Sequence, residues 1–249
     1  MELIRNHLIG AINVSWHCDS SMTIEQIGNK TIEILLALSE HDSLFSTVQF
    51  VNDNNERTKI DIFDSQNSTA LSELILSNSK TDIRKHEKDE NPNIEYKRDF
   101  GFSILLIFQR DGRDFCSWMS HFGSKGHNGI SLNSFKSDFQ DSFPWFKELF
   151  EILVSSSKPD FGEVFSNNQR ISECTRGLIY RISIMNYFSD LIKKYADLTQ
   201  LEQFESEDTS GLFLYPINPS FMKDKESYQS AIDKLIDLNK LIDLDENKI

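Results

Sequence analysis

The feature that most constrains this chain is the run Phe100 to Phe108, Phe-Gly-Phe-Ser-Ile-Leu-Leu-Ile-Phe, which is apolar at nearly every position. A strand apolar on both faces has to sit centrally in a sheet with helices on at least one side. The residues after the run fix its neighbours. Gln109-Arg110-Asp111-Gly112-Arg113-Asp114 interrupts it, and Asp-Gly between apolar segments is a hairpin signal. Phe115 to Phe122 then returns. Turn residues from Gly123 to Gly129, centred on Gly126–Gly129, lead into a third strand over residues 130–135. The expected unit is a three-stranded antiparallel meander.

The rest of the chain supplies strands and covering helices. Ala11 to Trp16 alternates apolar and polar residues, the period of a half-buried strand. Thr23 and Gln26 have capping-box spacing. Ile24, Ile27, Thr31, Ile34, Leu35 and Leu38 then follow at helical spacing, which predicts an amphipathic helix over about 23–40. Residues 45–51 and 59–63 read as strands, and 69–77 as a short helix with an Ala70-Leu71-Leu74-Ile75 stripe. Residues 78–93 are almost wholly polar and end in Asn91-Pro92-Asn93, a solvated loop or frayed helix end. A domain boundary there is the alternative to an excursion within one domain, and the excursion is preferred because the strands that follow need a covering helix. Further on, residues 143–154 read as a helix with Pro144 near its first turn. Residues 161–165, 178–185 and 213–217 read as strands, 187–195 as a helical segment and 227–244 as a terminal helix. Strands and helices mixed without βαβ regularity predict an α+β fold, a mainly antiparallel sheet flanked by helices, as one domain over 1–249.

Composition narrows the partners. The chain has 39 acidic and 26 basic residues, a net charge of −13. Neutralising phosphates takes a Lys/Arg surface, so nucleic acid is not an expected partner. No apolar run reaches the length that spans a bilayer, so no membrane role is expected. Cys18, Cys116 and Cys174 are odd in number and far apart, with no C-x-x-C pair. With no secretory signal at the N-terminus, they read as reduced, mostly buried thiols of a cytoplasmic protein; a disulfide between two of them is the alternative.

Catalytic patterns are missing. Gly123-Ser124-Lys125-Gly126 lacks the spacing and order of a phosphate-binding loop and reads as a turn. No G-x-S-x-G or H-E-x-x-H occurs. Cys116 with His121 or His127 would need the thiol within reach of the ring, whereas a Cys inside an apolar strand reads as core. Glu95-Tyr96-Lys97, with Asp82 or Asp89 upstream, matches half of a metal-dependent nuclease site. Such short matches arise by chance in a charged segment, and an acidic surface repels nucleic acid. The expectation is a protein that is not an enzyme, with no catalytic residue, no metal and no cofactor.

Three blocks together resemble a known family. The first is Ile12-Asn13-Val14-Ser15-Trp16, the capped helix ending Ala37-Leu38, and His41-Asp42-Ser43-Leu44-Phe45. The second is Asp99-Phe100-Gly101-Phe102-Ser103-Ile104-Leu105 with its return through Ser120-His121-Phe122-Gly123 to Asn128. The third is Gly177-Leu178-Ile179-Tyr180, followed by Gly211 and the terminal helix. In order and spacing they resemble the immunity protein 52 family of bacterial polymorphic toxin systems. The resemblance implies a cytoplasmic antidote that binds and neutralises a cognate toxin, a nuclease delivered to rival cells, for example by type VI secretion. Its blocks are packing features, so no functional residue is carried over.

An acidic protein suits a basic partner. The last 53 residues, from Asp197, hold 12 acids against 5 lysines, a balance of −7. Within them Glu205, Glu207 and Asp208 cluster in what reads as a loop, and these three are the candidate partner-binding residues. The alternative is a solvated loop. The rival functions are an acidic α+β binding module with another partner and the metal-dependent nuclease above.

Overall fold

A computed structural model describes residues 10–18, 22–64, 67–86, 100–124, 126–134, 139–165, 183–190, 205–208 and 211–215. The meander is present. Strand β4 (Phe100–Arg110) pairs antiparallel with β5 (Arg113–Ser124), and β5 pairs antiparallel with β6 (Gly126–Ser134). The first turn is as expected. Asp111 (φ 53°) and Gly112 (φ 71°) are both left-handed, as a two-residue turn matched to strand twist requires. β6 begins earlier than expected, at Gly126, and His121 already pairs with Gly129.

The chain forms two units. Neither begins or ends within residues 78–93. One comprises Ser15–Phe135 with Ser155–Ser157. It contains the meander, β2 (Thr47–Val51) and β3 (Arg57–Asp61) in the strand order β3-β2-β4-β5-β6. All the registers among these five strands are antiparallel. β4 is the central strand, because its two-sided apolar character is tolerated nowhere else.

Helices α1 (Ile24–His41) and α2 (Asn67–His86) pack together and cover the sheet. α1 starts where its capping box puts it. The Thr23 hydroxyl accepts the Gln26 backbone N–H, and the Gln26 side chain accepts the Thr23 N–H. Its stripe Ile27, Ile34, Leu35 and Leu38 is fully buried. In the same unit Phe45, Phe50, Leu71, Ile75, Leu106 and Trp118 are also buried. Burying each large apolar side chain contributes about 1.5–3 kcal/mol. Phe45 and Phe108 meet edge to face, with ring centroids 4.9 Å apart.

The other unit comprises Met1–Val14, Lys136–Val154 and Lys158–Ile249. Its strands run β1-β7-β8-β10-β9. They are the first five residues of β1 (Gly10–Cys18), then β7 (Phe161–Phe165), β8 (Met185–Ser189), β10 (Gly211–Tyr215) and β9 (Glu205–Asp208). β8 is antiparallel to β7 and to β10, and β10 is antiparallel to β9. Helix α3 (Phe139–Ser157) buries Phe146, Leu149, Phe150, Leu153 and Val154. The Phe150 ring packs edge to face on Phe213 of β10, at 5.8 Å.

The fold is α+β, a mainly antiparallel sheet flanked by helices, and several elements depart from the sequence reading. Helix α2 does not end at 77 but continues to His86, since Lys, Asp and Arg do not oppose helix formation. Residues 43–46 form a 3₁₀ turn before β2, because the Asp42 carboxylate accepts the Leu44 N–H and starts it. β3 starts at Arg57, two residues earlier than expected. Helix α3 begins at Phe139, which places Pro144 inside the helix. Tyr187 to Ser189 belong to a strand, not a helix. β8 has neighbours on both sides and is buried at four of five positions, so it lacks alternation and its aromatic run imitates a helix face. Glu205 to Asp208 form β9, not a loop. The expected elements at 178–182 and 227–244 lie outside the described residues.

Gly211 opens β10 opposite Ser189, in a space with no room for a side chain. A Cβ there would stand 2.6 Å from the Phe188 carbonyl oxygen and 2.6 Å from the Tyr187 hydroxyl. Backbone cannot yield as a flexible side chain can. Gly211→Ala should therefore lower stability by about 1–3 kcal/mol, the usual cost of overpacking. Denaturant unfolding checks this, and an unchanged midpoint would show that β10 is not held this closely.

Candidate functional site

The three candidate partner-binding residues share one strand. In the register, Glu205 stands opposite Tyr215, Glu207 opposite Phe213 and Asp208 opposite Leu212 of β10. Strand periodicity puts Glu205 and Glu207 in one set of alternate positions and Asp208 in the other. β9 ends the strand order, and among the described residues no strand lies on its far side. The expected loop at these residues is therefore a strand.

Within the same unit lies a buried polar cluster that sequence reading did not single out. Glu163 of β7 is 4% exposed. Its carboxylate accepts the Ser183 hydroxyl at 2.7 Å and an N–H of the Asn13 amide at 3.1 Å. Asn186, directly opposite Glu163 in the register, accepts the Ser183 backbone N–H at 2.7 Å. The cluster ties β1, β7 and the entry to β8 through side chains. Removing one partner would strand buried donors, at a cost of about 1–3 kcal/mol each. With Glu163, Ser183 and Asn186 buried, this cluster binds the strands to one another. The one sequence signal was an acid inside the apolar run Phe161-Gly-Glu-Val-Phe.

In the meander unit the exposed polar groups are arranged differently. Arg57 on β3 grips Asp114 on β5 with two bonds, 2.8 and 2.9 Å. Gln109 donates to the same carboxylate at 2.8 Å, and Gln49 bridges Gln109 and Arg57. The Arg57 hydrogen bond, opposed by partial burial, holds the Asp114 carboxyl below the usual range. The same bond raises the Arg57 guanidinium. Arg110 donates to Asp42 at 2.7 Å and lies 4.4 Å over the Phe115 ring. A register shift after Phe108 sets Asp114 opposite Gln109, which brings it under Arg57. The separation of 57 positions between Arg57 and Asp114 explains why sequence inspection missed the pair.

The imagined Cys116–His121 couple is not assembled. Cys116 faces the core and is fully buried, and burial pushes its thiol well up. His121 is five residues on, at an exposed position, where its Nδ1 lies 3.1 Å from the Ser103 hydroxyl. Met119, 56% exposed, lies on that outer side between Leu105 and Ser131 in register. The nuclease-like Glu95 and Asp89 lie outside the described residues, and nothing is described of the Asp82 side chain. Among the described residues no three His, Cys, Asp or Glu side chains gather as a metal site would require, and no helix is long and apolar enough to cross a membrane.

Because its folded-state pKa is depressed, Asp114 contributes stability above its unfolded pKa of about 3.9. That contribution is lost as pH falls through the lower folded value. Asp114→Asn should lower the melting temperature slightly at pH 7, within the ~0.2–1 kcal/mol range of exposed pairs. The difference from wild type should shrink toward zero as pH falls below about 4. A difference that grows on acidification would contradict the pairing.

No family model matches the chain, and no curated protein matches it. Among solved structures it is similar to the Pseudomonas aeruginosa T6SS protein PA0821, with a TM-score of 0.52 and 10% identity. The alignment covers 92% of this chain and 76% of that one. At that identity the likeness is one of fold.

Proposed function

We propose that this chain is an immunity protein that binds a cognate polymorphic toxin one to one and neutralises it in the cytoplasm. The observation that carries the reading is the fold likeness, over nearly the whole chain, to a protein of a type VI secretion system. Such systems are one route by which a polymorphic toxin would reach a rival cell, and a cell that delivers toxins needs protection from them. The charge agrees. A net −13 surface is complementary to a nuclease toxin, whose own substrate demands a basic cleft. The chain needs no catalysis in this role, and its described polar clusters are ones that brace strands.

Expression of the product of the adjacent upstream gene should arrest growth, and co-expression of this chain should restore it. The two should also co-purify. Arrest that this chain does not relieve, with no co-purification, would favour an acidic binding module with another partner. Purified protein should leave DNA and RNA intact with Mg²⁺ or Mn²⁺. Cleavage that disappears in Glu95→Ala would overturn the proposal in favour of the nuclease.

A further inference from the structure

We infer that one buried water molecule bridges Trp118 Nε1 and Ser120 Oγ on the buried side of β5, as a fixed part of the meander unit; this does not depend on the immunity reading. Trp118 is 0% exposed and Ser120 6%. They stand two positions apart on one strand, so both side chains leave the same side of it. Among the described residues neither the indole nitrogen nor the hydroxyl oxygen has a hydrogen-bond partner. Buried polar side chains are nearly always paired, so two orphans on one side of one strand point to a shared partner.

The sheet does not supply that partner. Trp118 stands between Leu106 of β4 and Leu132 of β6, and Ser120 between Ile104 and Ile130. All four neighbours are buried and aliphatic, with no acceptor to offer. Asn128, diagonal to Ser120 on β6, is buried as well but reaches neither atom. The main-chain groups of β5 are engaged in ladders with both β4 and β6. The indole N–H can only donate, whereas the hydroxyl donates and accepts. A direct bond between the two would meet both needs, and it is not made. Water meets both: its oxygen accepts the indole proton, and one of its hydrogens goes to Ser120 Oγ. Alternate residues of a strand lie about 6.8 Å apart. Two hydrogen bonds through one water span up to roughly 5.8 Å, so a single molecule suits the step. Water held by polar groups persists in an interior where an apolar hollow stays dry. Two unmet groups would instead consume a substantial part of a domain's narrow margin of stability.

The test turns on a sign. In a dry core Ser120→Ala removes an unmet hydroxyl, and the unfolding equilibrium constant should fall. With the water in place, Ser120→Ala removes one of its two holders and leaves the Trp118 N–H unmet. The constant should then rise about fivefold or more, read by denaturant unfolding of the full chain. In a Trp118→Phe background the same substitution should have little effect, because the donor that needed the water is gone. In the ¹⁵N-labelled chain the Trp118 indole N–H, assigned through its ring protons, should show an NOE to water that Ser120→Ala abolishes. No such NOE, or one that persists in Ser120→Ala, would overturn the bridge. So would a Ser120→Ala that stabilises the chain, or that costs the same in both backgrounds. Should Trp118→Phe not fold, the NOE and the sign of Ser120→Ala decide on their own.

Discussion

The meander unit depends on one constraint: β4 cannot be placed at an edge. Ile104, Leu106, Ile107 and Phe108 are consecutive or alternate positions, and all are buried. β2 and β5 must therefore flank the strand, and one face must be capped by helix. The capping box at Thr23 and Gln26 starts α1 so that its stripe lands on that face. The left-handed Asp111-Gly112 turn then brings β5 back in register, and Trp118 falls opposite Leu106. Each local preference agrees with the same tertiary answer, which is what makes a sequence specify one structure.

Polar groups are handled differently according to burial. The buried Glu163 carboxylate accepts hydrogen bonds from two other segments of the chain, because an unmet acceptor there is costly, whereas Trp118 Nε1 and Ser120 Oγ in the meander unit are buried without a hydrogen-bond partner among the described residues. Where polar groups are exposed, as at Arg57 and Asp114, the geometry is bidentate and the energy modest. The first arrangement fixes strand order. The second orients side chains over the outer side of β2, β3, β4 and β5.

Elements governed by local chemistry were legible in the sequence: α1 from its cap, the β4–β5 hairpin from Asp-Gly, and β7 and β10 from short apolar runs. Elements governed by neighbours were not. β8 looked helical because burial removes alternation. α2 looked short because its sequence after Ser77 carries no apolar stripe. β9 looked like a loop because its pairing comes from β10 and not from apolar residues of its own. The same limit applied to sites. Three adjacent acids could be picked out by eye, whereas Arg57–Asp114 and Asn13–Glu163 join residues far apart in the chain and exist only once the sheet has formed.

The functional account joins a net charge of −13 to a fold similar to that of a T6SS protein. Its central claim is direct, stoichiometric capture of a toxin. Isothermal titration of the purified chain with the purified product of the adjacent upstream gene measures this without intermediaries. The account predicts a one-to-one complex in the nanomolar range or tighter, about −12 kcal/mol or more, weakening as salt is raised. No heat of binding, and no complex by size at micromolar concentrations, would contradict it.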